Sequence, residues 1–246
     1  LLAVTLFPCQ GWRASVALMA AAPIHIGRLS ASRAGRVLRA LGRVMTDSEQ
    51  TGEIVVGEEI TGQAQLRYWV KNGIFDEGEG IDLLRDRPEI AELDLAPLRD
   101  LSDGTLGREF ARFLDDNEIQ LEGLAQPTPY TEGDAEAYLM RRIRQCHDLW
   151  HVLAGLGTAG HQEVLVHCFS IAQTGLPFSL IVISMGSLKH MVLEGRWRVL
   201  THETRQAYRS GRDASPLLTA YWERRWSLPL SEVRKEFGIL PMNASA

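Results

Sequence analysis

His147-Asp148-Leu149-Trp150-His151, then Gly155-Leu156-Gly157-Thr158-Ala159-Gly160, then Glu163, is the stretch on which both fold and chemistry turn. On a helix successive residues are about 100° apart, so His147 and His151 project about 40° from each other and Asp148 about 60° from His151. The glycines end that helix and reverse the chain, which lets Glu163 open the next helix beside the end of the first. Histidine pairs at i, i+4 arise often by chance. A carboxylate inside the pair and a second one a short turn later are the further donors that a divalent cation needs. The pattern therefore predicts a metal held by His147, Asp148, His151 and Glu163. Mixed nitrogen and oxygen ligation suits zinc, iron(II) or manganese, with zinc the first choice.

Outward from this stretch the chain reads as helix after helix, with β-branched runs too short to build a sheet. The expectation is an all-α fold, a single-domain multi-helix bundle with the metal site at a helix-turn-helix junction. Ala34, Val37, Leu38, Leu41 and Val44 form an apolar stripe, and Arg33, Arg36, Arg39 and Arg43 lie largely off it, which predicts a first helix with a basic face. Residues 47–62 read as a loop, with Ile54-Val55-Val56 as a strand-like run. A second helix is expected from about Gln63 to the acidic segment at residues 75–80, which lacks EF-hand spacing. Further helices are expected at residues 106–114, from about Gly133 through the ligand cluster, at 160–174, through the aromatic segment Leu217–Leu228, and at 231–237. The domain is expected to span residues 25–240. Residues 1–24 would be a non-native or disordered extension, and 241–246 a frayed tail.

Composition narrows the function classes. A chain of 246 residues that is 45% hydrophobic can bury a substantial core. Net charge −5, a sequence pI near 5.8 and the lack of zinc-finger or RNA-binding spacing argue against nucleic acid as a partner. Cys9, Cys146 and Cys168 are odd in number and lack CxxC spacing, as free thiols in a reducing compartment would. Residues 1–46 are arginine-rich and acid-free, which fits an organelle transit peptide. If Met19 is the true start, the arginines belong instead to a folded helix. That second reading is preferred, with membrane-surface contact as a lesser option for its basic face. The uncharged run from Leu176 is 13 residues long, short of the roughly 20 that cross a bilayer. It is expected to be a buried core helix, or else one wall of a tunnel for a long apolar ligand.

Rival chemistries fit less well. Asp148 stands where a zinc protease needs glutamate, which disfavours proteolysis. The His147-Asp148 doublet is shared with HD-type phosphohydrolases, but the other upstream histidine they need would have to be the distant His25. Arg144, at i−3 from His147, is placed to clamp a substrate carboxylate, though pairing with a nearby acid is the commoner fate of such an arginine. His167 follows Glu163 at i+4 and could support a ligand. Cys146 and Cys168 read as structural thiols.

The segment His147-Asp148-x-x-His151-x11-Glu163, with Gln173-Thr174-Gly175-Leu176-Pro177, closely resembles the ubiquinone (coenzyme Q) biosynthesis protein family called Coq four. Collinear blocks extend the resemblance from about His25 to Leu240: Leu106-Gly107-Arg108-Glu109-Phe110, Arg112-Phe113-Leu114-Asp115, Arg142-x-Arg144 and Tyr221-Trp222-Glu223-Arg224-Arg225-Trp226. The resemblance implies an all-helical protein with a divalent metal, commonly zinc, on His147, Asp148, His151 and Glu163. It implies a polyprenylated benzoate or quinone intermediate as substrate and lyase or decarboxylase chemistry at ring position C1, with hydroxylation there. Arg144 and the four metal ligands would then be catalytic. Peripheral membrane contact and association with other ubiquinone-biosynthesis enzymes are also implied, and a homodimer is allowed. The alternative is a non-catalytic scaffold that binds polyprenyl lipid and carries a structural metal.

The chain departs from the family pattern at Gln162, usually glycine, and at His167 and Ser170, usually lysine and glutamate. Its arginines outnumber its lysines 23 to 3. That bias favours a bacterial cytoplasmic protein peripheral on the inner membrane, with the matrix face of the mitochondrial inner membrane as the alternative.

Overall fold

The computed structural model describes residues 24, 27–46, 51–181, 183–184 and 197–242. They form α1 (Ala31–Thr46), α2 (Thr51–Lys71), α3 (Glu79–Asp86), the single turn α4 (Ala96–Arg99), α5 (Leu106–Asp116), α6 (Asp134–Ala154), α7 (Gly160–Thr174), α8 (Trp197–Asp213) and α9 (Leu230–Phe237). Short 3-10 turns lie at Ile90–Glu92, Leu121–Leu124 and Trp222–Arg224. Among the described residues no strand forms, and Thr105 and Pro229 make one isolated antiparallel bridge. The fold is all-helical and a single domain, as the sequence pattern predicts. The expected N-terminal extension lies outside the described residues except at Ile24, and so does His25.

Two expected elements are corrected. Residues 51–62 are not a loop, because α2 runs through them from Thr51. Gly57 and Gly62 read as breakers, but here they admit close neighbours: an added Cβ would lie 2.6 Å from the Phe178 ring at Gly57, and 2.9 Å from both Leu176 and Met140 at Gly62. Tertiary packing of this kind outweighs a propensity loss of about 1 kcal/mol per glycine. The aromatic segment 217–228 is not a helix either. Its backbone serves other elements: the carbonyls of Trp226 and Leu228 accept from the Gly107 and Leu106 N–H groups at 2.8 and 2.9 Å, capping the start of α5, and Leu217 N–H donates to Gln173 Oε1 at 2.9 Å. In α1, Val37 is buried as expected; Ala40, outside the expected stripe, is buried too, whereas Leu38 of that stripe faces solvent. Residues 177–181 and 183–184 are helical, with Phe178 and Ser179 buried but Leu180 exposed, so this stretch is not wholly core.

The long helix α6 runs through the centre of the core. Tyr138, Leu139, Met140, Leu149, Trp150, Leu153 and Ala154 are all buried along it. A helix leaves its last four carbonyls without intrahelical partners, and here each one is met. Leu156 N–H donates to His151 O at 2.9 Å, and Gly155 N–H, in the left-handed conformation at φ 70°, donates to Val152 O at 3.2 Å. The Arg234 guanidinium of α9 donates to Leu153 O at 2.9 Å and to Val152 O at 2.8 Å. Met242 N–H donates to Ala154 O at 2.7 Å. Met242 is therefore buried rather than frayed, and the expected loose tail does not begin before it.

Two further contacts lock the bundle. Inside α6, Arg142 is buried and makes a bidentate pair with Glu223 at 2.6 and 2.9 Å. Helices α7 and α8 meet at Gly211, where a Cβ would fall 2.3 Å from Phe169 O. Each gives an expected outcome. Glu223→Gln leaves a buried guanidinium without its counter-charge and should cost about 3–5 kcal/mol in denaturant unfolding. Gly211→Ala forces two helix backbones apart and should cost about 1–3 kcal/mol, with the melting temperature falling by about 2–4 °C per kcal/mol.

Candidate metal centre

The last two turns of α6 and the first turn of α7 carry the predicted ligands, and the glycine stop after Ala154 folds one helix end onto the other. His147 Nε2 and His151 Nε2 lie 3.2 Å apart. Glu163 Oε2 is 3.4 Å from His147 Nε2, and Glu163 Oε1 is 3.4 Å from His151 Nε2. Two imidazole lone pairs at this separation repel unless a proton or a cation lies between them. Ligands about 2.0–2.1 Å from a tetrahedral ion are roughly 3.3 Å from one another, so this donor set fits a divalent metal.

Electrostatics agree with that reading. Burial opposes the charged form of His147, but the Glu163 carboxylate, by hydrogen bond and by charge, outweighs it and raises the imidazole pKa, with Asp148 and Glu58 adding to the effect. Burial likewise works against ionised Glu163, yet the two histidines hold its carboxyl well below the usual range. Glu163 sits in the first turn of α7, where the helix dipole favours a negative charge. The Phe113 ring stacks on His151 with centroids 5.4 Å apart. His151 Nδ1 is buried without a hydrogen-bond partner.

The structure brings together three of the four predicted ligands. The atoms within 4.8 Å of one another belong to His147, His151 and Glu163. Asp148 lies about 100° round the helix from His147 and remains outside that group; burial raises its pKa against the pull of both histidines. Arg144 does not present an open fork. It pairs with Glu58 at 2.9 Å and Glu59 at 3.0 Å, both on α2, and also donates to Val55 O at 3.3 Å. Glu58 and Glu59 are the neighbours that sequence reasoning missed, because their segment was read as a loop. His167 packs against His147 with ring centroids 5.3 Å apart, and burial, followed by the charge of His147, pushes its pKa down to about 3. Burial pushes Cys146 up to about 11 and Cys168 up to about 12, as inert structural thiols require.

Further along α7 lies a cavity of about 320 Å³ with Trp69, Cys168, Ile171, Leu180, Ile183 and Tyr208 among its lining residues. Leu180, Tyr208 and Ile24 are exposed at it. Ile171 follows Glu163 by eight helical residues, about 12 Å of rise. No helix among the described residues is long and apolar enough to cross a membrane.

The family described as Coenzyme Q (ubiquinone) biosynthesis protein Coq4 matches residues 24–243. The Xenopus laevis protein named "Ubiquinone biosynthesis protein COQ4 homolog, mitochondrial" is 37% identical over 191 residues, covering 77% of this chain and 66% of that protein. The chain thus spans just under two thirds of the frog protein. The Mus musculus protein of the same name is 32% identical over 221 residues, covering 89% of this chain and 82% of its own. A crystal structure of a candidate ubiquinone biosynthesis protein from Nostoc punctiforme PCC 73102 superposes with a TM-score of 0.67 at 25% identity, covering 83% of this chain and 97% of that one. The chain belongs to the Coq4 family of coenzyme Q (ubiquinone) biosynthesis proteins.

Proposed function

We propose that the chain acts in ubiquinone biosynthesis as a metal-dependent enzyme that releases the C1 carboxylate of a polyprenylated hydroxybenzoate as CO2 and hydroxylates that carbon, with dioxygen and a two-electron donor as co-reactants that supply the hydroxyl oxygen and leave water. The observation that carries this reading is the convergence of His147, His151 and Glu163 at mutual distances of 3.2–3.4 Å. A divalent ion held there would supply Lewis acidity toward the ring carboxylate. The protein's part is to fix the donors: Phe113 orients the His151 ring, and the closed end of α6 fixes its backbone. Asp148, made more basic by burial, is suited to take or return a proton at its carboxylate oxygen. The apolar cavity beyond Ile171 supports the reading of a polyprenyl tail.

The scaffold reading draws on Arg144. Its pairing with Glu58 and Glu59 removes the free guanidinium that would otherwise meet a substrate carboxylate, and a lipid-binding protein with a structural metal has no need of one. Partner biosynthetic enzymes, peripheral membrane contact and a homodimer belong to either version of the proposal. The curated relatives are named as mitochondrial, which favours the mitochondrial placement over the bacterial one.

Elemental analysis of purified wild-type protein beside His151→Ala, coupled to turnover of a prenylated 4-hydroxybenzoate derivative, tests the proposal. Near-stoichiometric metal and turnover, both lost in the variant, are expected. Metal retained by the variant would sink the ligand assignment, and metal without turnover under any ion would leave the scaffold.

A pH dependence follows as well. Glu163 raises the His147 pKa, so lowering the pH puts a proton where the metal must bind. Apparent metal affinity should fall about tenfold per pH unit for each proton displaced below that raised pKa, and level off above it. Glu163→Gln should move the His147 titration to lower pH in an NMR experiment on metal-free protein; an unmoved titration would discount the carboxylate as its cause.

A further inference from the structure

Resting on the metal reading above, we propose that Gln162 is the positioning residue that sets Glu163 in register with the histidine pair. Between the end of α6 and Glu163 the chain crosses residues 155–162 with two glycines after the helix stop, at 157 and 160. Such a segment would scatter the position of its last residue unless something closes it. The Gln162 side chain closes it: its Oε1 accepts the Gly157 N–H at 2.6 Å. The bond reaches back past the Ala159 cap of α7, whose carbonyl accepts from the Gln162 and Glu163 N–H groups at 2.7 and 3.0 Å. Since Leu156 N–H is already bound to His151 O, consecutive links join the backbone of one ligand to that of the next: His151 to Leu156, Gly157 to Gln162, and Ala159 to Glu163. A second tether, Thr158 Oγ1 to Asn117 Oδ1 at 2.6 Å, fixes the turn to the end of α5. Gln162 adjoins Glu163, and its Oε1 is turned back onto the Gly157 N–H. It acts through the backbone, by limiting where the first turn of α7 can start. The consequence is a site whose third ligand stands in place before any ion arrives.

The test is competition of Zn²⁺ and Mn²⁺ between the full chain and a chromophoric chelator, for wild type, Gln162→Met and Gln162→Glu. The methionine keeps length and helix propensity but removes the acceptor. The glutamate keeps an acceptor at the same reach. Its added charge is suppressed by working in about 0.5 M salt, where screening acts within a few ångströms. The dissociation constant of the methionine variant should rise about 10- to 100-fold, as it does when groups that orient metal ligands are lost. Release of the ion should account for most of that rise, and the glutamate variant should return close to wild type. Thermal melting of the metal-free proteins separates this role from a merely structural one. A methionine variant that melts lower yet binds metal as tightly as wild type overturns the proposal, and so does a glutamate variant as weak as the methionine one. A wild-type protein that takes up neither ion removes the metal reading itself, an outcome distinct from equal binding by wild type and variant.

Discussion

The arrangement rests on how the end of α6 is closed. Four carbonyls at a helix C-terminus must find donors, and here they draw on three separate parts of the chain: the glycine turn, Arg234 of α9 and the backbone of Met242. That closure fixes the last turn, from which His151 projects, one turn beyond His147. It also sets the electrostatics. The end of α6 presents the negative pole of its dipole, and the start of α7, which carries Glu163, presents a positive one. A cation beside the histidines and a carboxylate beside the α7 amides are both favoured by backbone that is already in place.

Legibility in the sequence followed the range of the interaction. The helix-turn-helix at residues 147–163 could be read because its geometry is local: a 3.6-residue period, a glycine stop and a restart. The long helices α6 and α7 could be read for the same reason. The start of α2 could not, since Gly57 and Gly62 look like breakers until Phe178, Leu176 and Met140 are seen against them. Arg144 shows how one misread element spreads. Its partners Glu58 and Glu59 lie more than eighty residues earlier, in the segment taken for a loop, so nothing local decided between a substrate clamp and an internal pair.

The aromatic stretch near the C-terminus failed in the opposite sense. Leu217, Tyr221, Trp222 and Trp226 have helical spacing, but local periodicity cannot register that the carbonyls of Trp226 and Leu228 are claimed by the first amides of α5. The segment gives up its own ladder to complete another helix. Asp148 marks a finer limit. Sequence spacing placed it on the ligand face within a tolerance of tens of degrees, whereas joining a three-donor cluster is decided by ångströms.

The bonds from Arg234 to α6 join residues 81 and 82 positions apart. During synthesis the ligand-bearing turn leaves the ribosome long before the groups that secure it, and contacts of such separation form late. The Val152 and Leu153 carbonyls must therefore wait for Arg234 until nearly all of the described chain has been made. The links from His151 to Glu163 need no residue beyond 163, so the ligand-bearing turn can take shape on the nascent chain before the helix end that anchors it is closed.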